Sequence, residues 1–367
     1  MEASMVKYSN MLAFLLIFTS TITAQRIKLN TGDVCGPCQA EDCSCQVWSK
    51  CDILQNLPDA NITFCNREKG IVCCPENYPE NCPENCHLTS PAEVACHEFT
   101  KHAPAKCPQP FIAGGELAEI GEFPSAALIG IFNSTSNVTD WICGGTLISE
   151  RFVLTAGHCI LNGVPNKVRL GDLDYNSTLD DVGLQEFSVL SLKVHDNFTL
   201  DRYFDIMLLE LNGTVTFSKY VLPACLLTPY MMKFQTGKYW AVDWGRIDDT
   251  EVFSTQLRRV ELKHQTVCDK TAIQMYDLQR GLLEPIQFCA DGKTYDTCNG
   301  YSGGPLLIPF PHSQVEYRCM YMVAGIVSKG QEHCGLVDLP IINTNVTAFV
   351  RFIESFVWPQ NINTTIN

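Results

Sequence analysis

Twenty cysteines among 367 residues constrain this chain more than any other feature of its sequence. An even number at this density would be a liability in a reducing cytosol, so we expect disulfides formed in an oxidising compartment. The N-terminus agrees with export, because Lys7, the apolar run 11–18 and small residues up to Ala24 predict a signal peptide over residues 1–24. Eight Asn-x-Ser/Thr sequons also favour the secretory route: Asn61, Asn133, Asn137, Asn176, Asn197, Asn212, Asn345 and Asn363.

Charge and hydropathy narrow the class of partner. The formal net charge of -14 argues against polyanions such as nucleic acid. After the predicted signal peptide, no apolar stretch is long enough to span a bilayer, so we expect no membrane partner. We predict neither a cofactor nor a bound metal.

Cysteine density divides the chain into segments. Residues 35–74 hold eight cysteines in a segment too short to bury a self-sufficient core, so cross-links are expected to hold this module together. Residues 75–111 are polar and proline-rich, which is typical of a linker, and carry four further cysteines that are expected to tie the linker down. The pair Cys35 and Cys38 spells a redox motif, but no βαβ setting surrounds it and a structural bridge is favoured.

From residue 112 onward, short β-rich runs alternate with Gly, Asn and Asp turns. This spacing predicts an all-β sandwich or barrel. The predicted strands include residues 141–148, 152–155, 167–170, 187–194 and 320–327. Apolar residues then recur at helical spacing before Pro359 and predict a C-terminal helix that packs on a barrel: Val346, Phe349, Val350, Ile353 and Val357.

Three local motifs carry candidate chemistry. His158 lies in Thr-Ala-Gly-His-Cys, Asp205 lies in the apolar run Phe-Asp-Ile-Met-Leu-Leu, and Ser302 lies in Gly-Tyr-Ser-Gly-Gly-Pro. A hydrolytic serine needs a base, an acid that orients the base, and backbone donors for the oxyanion. A buried aspartate is costly unless a partner such as a histidine offsets it. Each motif alone is a weak signal.

Taken together, the order His, Asp, Ser with separations of 47 and 97 residues resembles the trypsin/chymotrypsin family across residues 112–358. Further matches are Cys143-Gly144-Gly145, Trp244-Gly245, and Ile112-Ala113-Gly114-Gly115, which is similar to a mature protease N-terminus. The resemblance implies two antiparallel six-stranded Greek-key β-barrels with a C-terminal helix.

The same resemblance implies roles for individual residues. His158 is the expected general base, Asp205 its orienting carboxylate and Ser302 the nucleophile, with the N–H groups of Gly300 and Ser302 as the oxyanion hole. The residues expected to bind substrate are Asp296, which would select a basic side chain, Ser328 and Gly330. Implied disulfides join Cys143 to Cys159, Cys268 to Cys289 and Cys298 to Cys334, and a linker cysteine is the expected partner of Cys225.

The N-terminal module resembles an arthropod clip domain through residues 44–51, Cys65 and residues 72–75. This likeness implies the pairs Cys45 with Cys65 and Cys51 with Cys74. The predicted organisation is a clip-like module at 35–74, a linker at 75–111, a protease domain at 112–358 and a tail at 359–367. The remaining pairings stay open: Cys35, Cys38, Cys43, Cys73, Cys82, Cys86, Cys96, Cys107, Cys225 and Cys319.

Two departures from the family pattern affect activation. Activation in the family cleaves after a basic residue, whereas Phe111 precedes Ile112 here. The new ammonium then pairs with an aspartate, and Tyr301 stands in its place. A phenol is neutral at physiological pH. Loss of one member of a buried ion pair costs about 3 to 5 kcal/mol, so the oxyanion hole is expected to form poorly.

The specificity pocket departs as well. Ile341 follows Pro340 where the family has a glycine that lets the substrate side chain pass. Lys329 replaces a tryptophan of the pocket wall, and Asn343 replaces a buried tyrosine. Tyr301, Ile341 and Lys329 therefore favour reduced activity.

We predict a secreted clip-domain serine protease homologue with impaired catalysis. The resemblance implies a regulator or cofactor of an extracellular proteolytic cascade in a haemolymph-like fluid, as in innate immunity, with proteases or zymogens as partners and the clip module as the protein-binding surface. The alternative is an active trypsin-like endopeptidase that cleaves after Arg or Lys and is itself activated after Phe111. A purely structural extracellular protein ranks last.

Overall fold

The computed structural model describes residues 43–47, 64–66, 71–75, 90–104, 116–244, 254–291, 302–310, 319–330 and 340–359. They belong to two units, which are described separately. Several predictions lie outside these residues: the signal peptide, the cleavage site at Phe111 and Ile112, the positions Asp296, Gly300 and Tyr301, and the pair Cys298–Cys334. The structure describes only the backbone at Cys45, Cys65 and Cys74, so the pairs Cys45–Cys65 and Cys51–Cys74 stay predictions.

The first unit contains a three-stranded antiparallel sheet in the order β1-β3-β2. Its strands are β1 (Cys43–Val47), β2 (Phe64–Asn66) and β3 (Ile71–Pro75). Cys45 lies opposite Cys73 in the β1–β3 register. The sheet therefore brings cysteines of the predicted module onto neighbouring strands.

The second unit is rich in β-strands, and its described residues include three short α-helices. Its first eight strands are β4 (Glu116–Leu117), β5 (Ala126–Asn133), β6 (Val138–Leu147), β7 (Phe152–Thr155), β8 (Lys167–Leu170), β9 (Gln185–Val194), β10 (Met207–Leu211) and β11 (Cys225–Leu226). The later strands are β12 (Lys238–Asp243), β13 (Arg258–Gln265), β14 (Gln287–Asp291), β15 (Pro305–Pro309), β16 (Tyr321–Lys329) and β17 (Ile341–Asn345). The helices are α1 (Pro91–Thr100), α2 (Lys270–Met275) and α3 (Val350–Val357).

Six strands close the first barrel, in the order β10-β7-β6-β5-β8-β9. Strand β8 shows why this sequence forms a barrel wall: Val168 and Leu170 are buried, whereas Lys167 and Arg169 are half-buried on the other face. Successive side chains on a strand point to opposite faces, so this alternation places one apolar row inside the barrel. Closure leaves no free sheet edge.

The second barrel is the ring β12-β13-β14-β17-β16-β15, to which β11 adds alongside β16 and β4 alongside β13. Strand β16 is buried along most of its length and carries Ser328 towards the first barrel. The predicted all-β fold with two six-stranded antiparallel barrels is confirmed. The strands predicted at 152–155 and 167–170 match those of the structure, and the others differ at their ends.

The C-terminal helix is also confirmed. A 3-10 turn at Val346–Phe349 precedes α3, and the Asn345 side chain accepts the Thr347 N–H at 3.2 Å. Val350, Ile353 and Val357 are buried, as their spacing predicts. Within the described residues, no helix is both long enough and apolar enough to cross a bilayer.

Helix α1 lies inside the segment whose composition predicts only a linker. Ser90 and Glu93 form a reciprocal capping box at its start, and Pro91 occupies the first turn. The helix buries Phe99, and its Cys96 forms a disulfide with Cys225 of β11. A cysteine of the predicted linker is therefore covalently joined to the second barrel.

Replacing both members of this bridge tests how much the helix depends on it. Because the disulfide closes a loop of 129 residues, the double variant Cys96→Ser/Cys225→Ser is expected to lose about 2 to 5 kcal/mol of unfolding free energy. Thermal or chemical unfolding measures the loss. The control is Val94→Ala, since Val94 is an exposed residue of the same helix. A loss no larger than that of the control contradicts the stabilising role.

Candidate active site

His158 is positioned by a strand end and a disulfide. It lies in the 3-10 turn Gly157–Asn162, which directly follows β7, and the next residue, Cys159, is bonded to Cys143 of β6. The imidazole is only 5% exposed. The turn is thereby fixed to two strands of the first barrel.

Asp205 orients this histidine from a fully buried position. Its Oδ2 atom lies 2.7 Å from His158 Nδ1, and its Oδ1 atom accepts the His158 backbone N–H at 2.7 Å. Phe204, immediately before it, has a φ of 53°, which is unusual for a residue other than glycine. The two contacts fix both the ring and the backbone of His158.

The second barrel supplies two further hydrogen-bond donors to Asp205. The Ser328 hydroxyl of β16 donates to Asp205 Oδ2 at 2.5 Å, and the Thr344 hydroxyl of β17 donates to the Asp205 carbonyl at 2.8 Å. Complete burial raises the pKa of the Asp205 carboxyl, and the hydrogen bond from Ser328 opposes that shift. The sequence predicts that Ser328 binds substrate, and in this structure its hydroxyl contacts the Asp205 carboxylate.

Ser302 begins a turn that is held between the two barrels. Its carbonyl accepts the Gly144 N–H at 2.9 Å, and the Gly303 N–H donates to the Val327 carbonyl at 2.9 Å. Gly303 has a φ of 76°, and a Cβ there would collide with the Thr155 side chain, so this position requires glycine. The described hydrogen bonds include none between the Ser302 hydroxyl and His158; such a bond often tightens only when substrate is present.

Three described residues of the predicted specificity pocket, Ile341, Lys329 and Gly330, differ in their surroundings. Ile341 is 3% exposed and belongs to a core cluster with Val327 and Ala290. The Lys329 ammonium donates to the Tyr276 carbonyl. A Cβ added at Gly330 would meet no atom of the described part of the chain within 4 Å.

Among the described residues, one cluster has the geometry of metal ligands, and a disulfide explains why its cysteines lie so close together. Cys143, His158 and Cys159 lie close together, but the two sulfur atoms form a disulfide and offer no thiolate. A second pair, Cys268 with Cys289, is present as the family likeness implies, and Cys319 is also disulfide-bonded.

Asp243 is a buried carboxylate that the sequence analysis missed. It ends β12 immediately before Trp244 and is 2% exposed. Burial raises its pKa well above the ordinary value for an aspartate. The available signal was an acidic residue closing the apolar run Tyr-Trp-Ala-Val and followed by the Trp-Gly motif.

Comparison with known proteins agrees with this geometry. Residues 112–353 match the family model described as trypsin. The chain belongs to the trypsin family of serine proteases.

Curated relatives within this family come from arthropods. Serine protease snk of Drosophila melanogaster is 34% identical over 69% of this chain, which corresponds to 58% of that protein. The proclotting enzyme of Tachypleus tridentatus is 29% identical over 91% of this chain and 93% of its own length. CLIP domain-containing serine protease B4 of Anopheles gambiae is 30% identical over 67% of this chain and 70% of its own length.

A substitution at Ser328 tests the contact between the barrels at the trypsin-family triad. Ser328→Ala removes a donor from a buried carboxylate, so a loss of about 1 to 3 kcal/mol in unfolding free energy is expected. Without this donor the pKa of Asp205 rises further. A carboxyl whose folded pKa is raised destabilises the fold as pH climbs above its ordinary value near 4, so the loss is expected to be larger at pH 8 than at pH 5.

Ser125→Ala is the matched control for this measurement. Ser125 is equally buried, and its hydroxyl has no hydrogen-bond partner within the described part of the chain. Its removal is expected to change the unfolding free energy by less than about 0.5 kcal/mol. If the two substitutions change the unfolding free energy equally at both pH values, the Ser328–Asp205 hydrogen bond does not stabilise the fold.

Proposed function

We propose that this protein is a secreted clip-domain serine protease homologue that regulates an extracellular proteolytic cascade and hydrolyses peptides after Arg or Lys poorly. The observation that carries the proposal is the burial of Ile341. At this position the family likeness expects a glycine, which leaves room for the substrate side chain. The β-branched Ile341 side chain is buried in the same core cluster as Val327, which supports the inference that it takes this room.

The neighbouring replacements support the same reading. Asn343 is fully buried and its amide donates to the Ile341 carbonyl at 3.0 Å, which holds the backbone of this strand in place. Lys329 is held by the Tyr276 carbonyl. These contacts support the inference that little room is left where the family likeness expects an Arg or Lys side chain to enter.

Other parts of the candidate site favour retained binding of a protein partner. His158 and Asp205 are joined as an active protease requires, and a Cβ added at Gly330, where a peptide backbone is expected to lie, would meet no atom of the described residues within 4 Å. A partner that presents an extended segment is therefore a better fit than a substrate whose basic side chain must enter a pocket. The partners we propose are cascade proteases or their zymogens, and relatives named as proclotting enzyme and CLIP-domain protease support this class.

The proposal is tested by peptide hydrolysis after defined cleavage. Residues 108–111 are replaced by the recognition sequence of a site-specific protease, so that cutting frees Ile112. The cut wild-type protein is expected to hydrolyse an Arg-containing peptide amide no faster than its Ser302→Ala variant. The double variant Ile341→Gly/Lys329→Trp reopens the pocket, and we expect kcat/KM to rise at least about tenfold.

Ile342→Val is the matched control, because Ile342 is fully buried in the same strand but belongs to another core cluster. It is expected to leave hydrolysis at the Ser302→Ala background. Rapid hydrolysis by the cut wild-type protein would refute the proposal and favour the active endopeptidase. No gain from the double variant would show that the pocket residues are not the cause of the impairment.

A further inference from the structure

Arg202 has an unpaired donor beside the candidate active site. Its Nη1 atom is buried and has no hydrogen-bond partner among the residues that the structure describes. The side chain as a whole is half-buried, so part of it stays accessible to a ligand. A donor that is shielded from water and left unpaired is costly. The guanidinium is therefore expected to gain a partner when an acceptor arrives.

The backbone holds Arg202 in an unusual conformation. Its φ is 72°, in the left-handed region that residues other than glycine rarely adopt. The Arg202 N–H donates to the Thr199 carbonyl at 3.0 Å, and the side-chain amide of Gln287 donates to the Arg202 carbonyl at 3.0 Å. These two hydrogen bonds keep the strained residue in place, and strain of this kind is concentrated at functional sites.

Arg202 and Lys329 both lie near the Asp205 carboxylate. Burial lowers the pKa of Arg202, and the Asp205 carboxylate opposes that shift, so the two groups are within electrostatic reach of each other. Lys329 directly follows Ser328, whose hydroxyl is bonded to Asp205. The candidate base His158 is bonded to the same carboxylate. Both cations therefore belong to the surroundings of the candidate active site.

Tyr276 connects the two cations. Its carbonyl accepts from the Lys329 ammonium, and its side chain belongs to the same core cluster as Tyr203, the residue after Arg202. Tyr276 is 5% exposed, and its hydroxyl is buried without a hydrogen-bond partner in the described part of the chain. Burial raises the pKa of Tyr276 to about 12, so at neutral pH the hydroxyl keeps a proton that it can donate. This part of the fold thus holds a second unpaired donor.

Arg280 adds a third cation next to Tyr203. Its guanidinium lies over the Tyr203 ring, 4.1 Å from the ring centroid, and its backbone N–H donates to the Tyr203 hydroxyl at 2.8 Å. Arg280 is exposed. The carboxylate of nearby Asp277 accepts from a glutamine amide at 2.7 Å. Cationic donors therefore face the solvent on this side of the candidate active site.

We propose that Arg202, Lys329 and Tyr276 form a carboxylate-binding subsite next to His158, and that an acidic side chain of the extended partner segment occupies it. A guanidinium offers two parallel N–H donors that match a carboxylate. The Lys329 ammonium adds charge, and the Tyr276 hydroxyl adds a neutral donor. The Arg202 side chain can turn towards a ligand, because no hydrogen bond within the described residues holds its Nη1 atom. This inference rests on the proposed function, since it names the chemistry of the segment that the partner presents.

The overall charge of the chain makes such a preference specific to the subsite. The formal net charge of -14 repels acidic peptides in general. A preference for an acidic segment must therefore come from local cations, and it is expected to weaken as salt is added.

Peptide binding tests the subsite. The probe is the fluorescein-labelled extended peptide Val-Glu-Val-Glu-Val-Gly, and its control carries glutamine in place of both glutamates. Fluorescence anisotropy is measured with the uncut full chain in the Ser302→Ala background, so that no bound peptide is hydrolysed. The acidic peptide is expected to bind at least about tenfold more tightly at low salt, because hydrogen bonds to a charged group are strong. Equal affinities for the two peptides overturn the proposal.

Substitutions then assign the preference to Arg202. Arg202→Gln is expected to reduce the preference to less than about threefold, and Arg202→Lys to an intermediate value, because an ammonium lacks the paired donors of a guanidinium. Arg351→Gln is the matched control, since Arg351 is an exposed arginine of α3 and its loss changes the net charge equally. The control is expected to keep the preference. A preference that survives Arg202→Gln, or that falls equally in the control, shows that the subsite is not at Arg202.

Thermal unfolding separates the subsite from a purely structural role. If Arg202 served only to balance the buried charge of Asp205, Arg202→Gln would lower the Tm and leave the peptide preference unchanged, which contradicts the proposal. We expect a Tm equal to or above that of the wild-type protein, because an unpaired buried donor is removed. If both the Tm and the preference fall, Arg202→Lys decides: recovery of the Tm alone supports the subsite, whereas full recovery of both assigns the effect to charge alone and overturns it.

These binding measurements are distinct from the test of the proposed function. Rapid hydrolysis by the cut wild-type protein, with the peptide preference intact, would refute the proposed function and leave the subsite in place. Slow hydrolysis without any preference for the acidic peptide would refute the subsite alone.

Discussion

The candidate active site depends on a single buried carboxylate that contacts both barrels. Asp205 is fully buried, and its oxygens accept from the backbone and ring of His158 and from the Ser328 hydroxyl. An unpaired charge in this position would be severely destabilising, so the donors must remain in place for the fold to be stable. The geometry that orients His158, the candidate base, is therefore also a constraint on how the two barrels meet.

Asp243 contrasts with Asp205 in one respect. Both carboxylates are buried beside the nucleophile region, but only Asp243 keeps an oxygen without a partner in the described structure. Among the described residues, the burial of Asp243 is therefore offset by fewer hydrogen bonds than the burial of Asp205.

The sequence predicted the barrels and the pair of His158 and Asp205 well, because strand alternation and short motifs are local features. Val168 and Leu170 alternate with charged residues, and His158 is followed by a cysteine that fixes its turn. The sequence analysis missed helix α1 because an average over a proline-rich segment hides the capping box of Ser90 and Glu93. It missed Asp243 because the significance of that residue depends on Gly144 and Gly304, which approach it only in the folded chain.

A crystal structure of the cut protein tests the central claim most directly. The account predicts that Asp205 still accepts from the His158 backbone and from Ser328, and that the Ile341 side chain is still buried in the cluster that contains Val327. An open slot at Ile341 that leads to Asp296 would contradict the account.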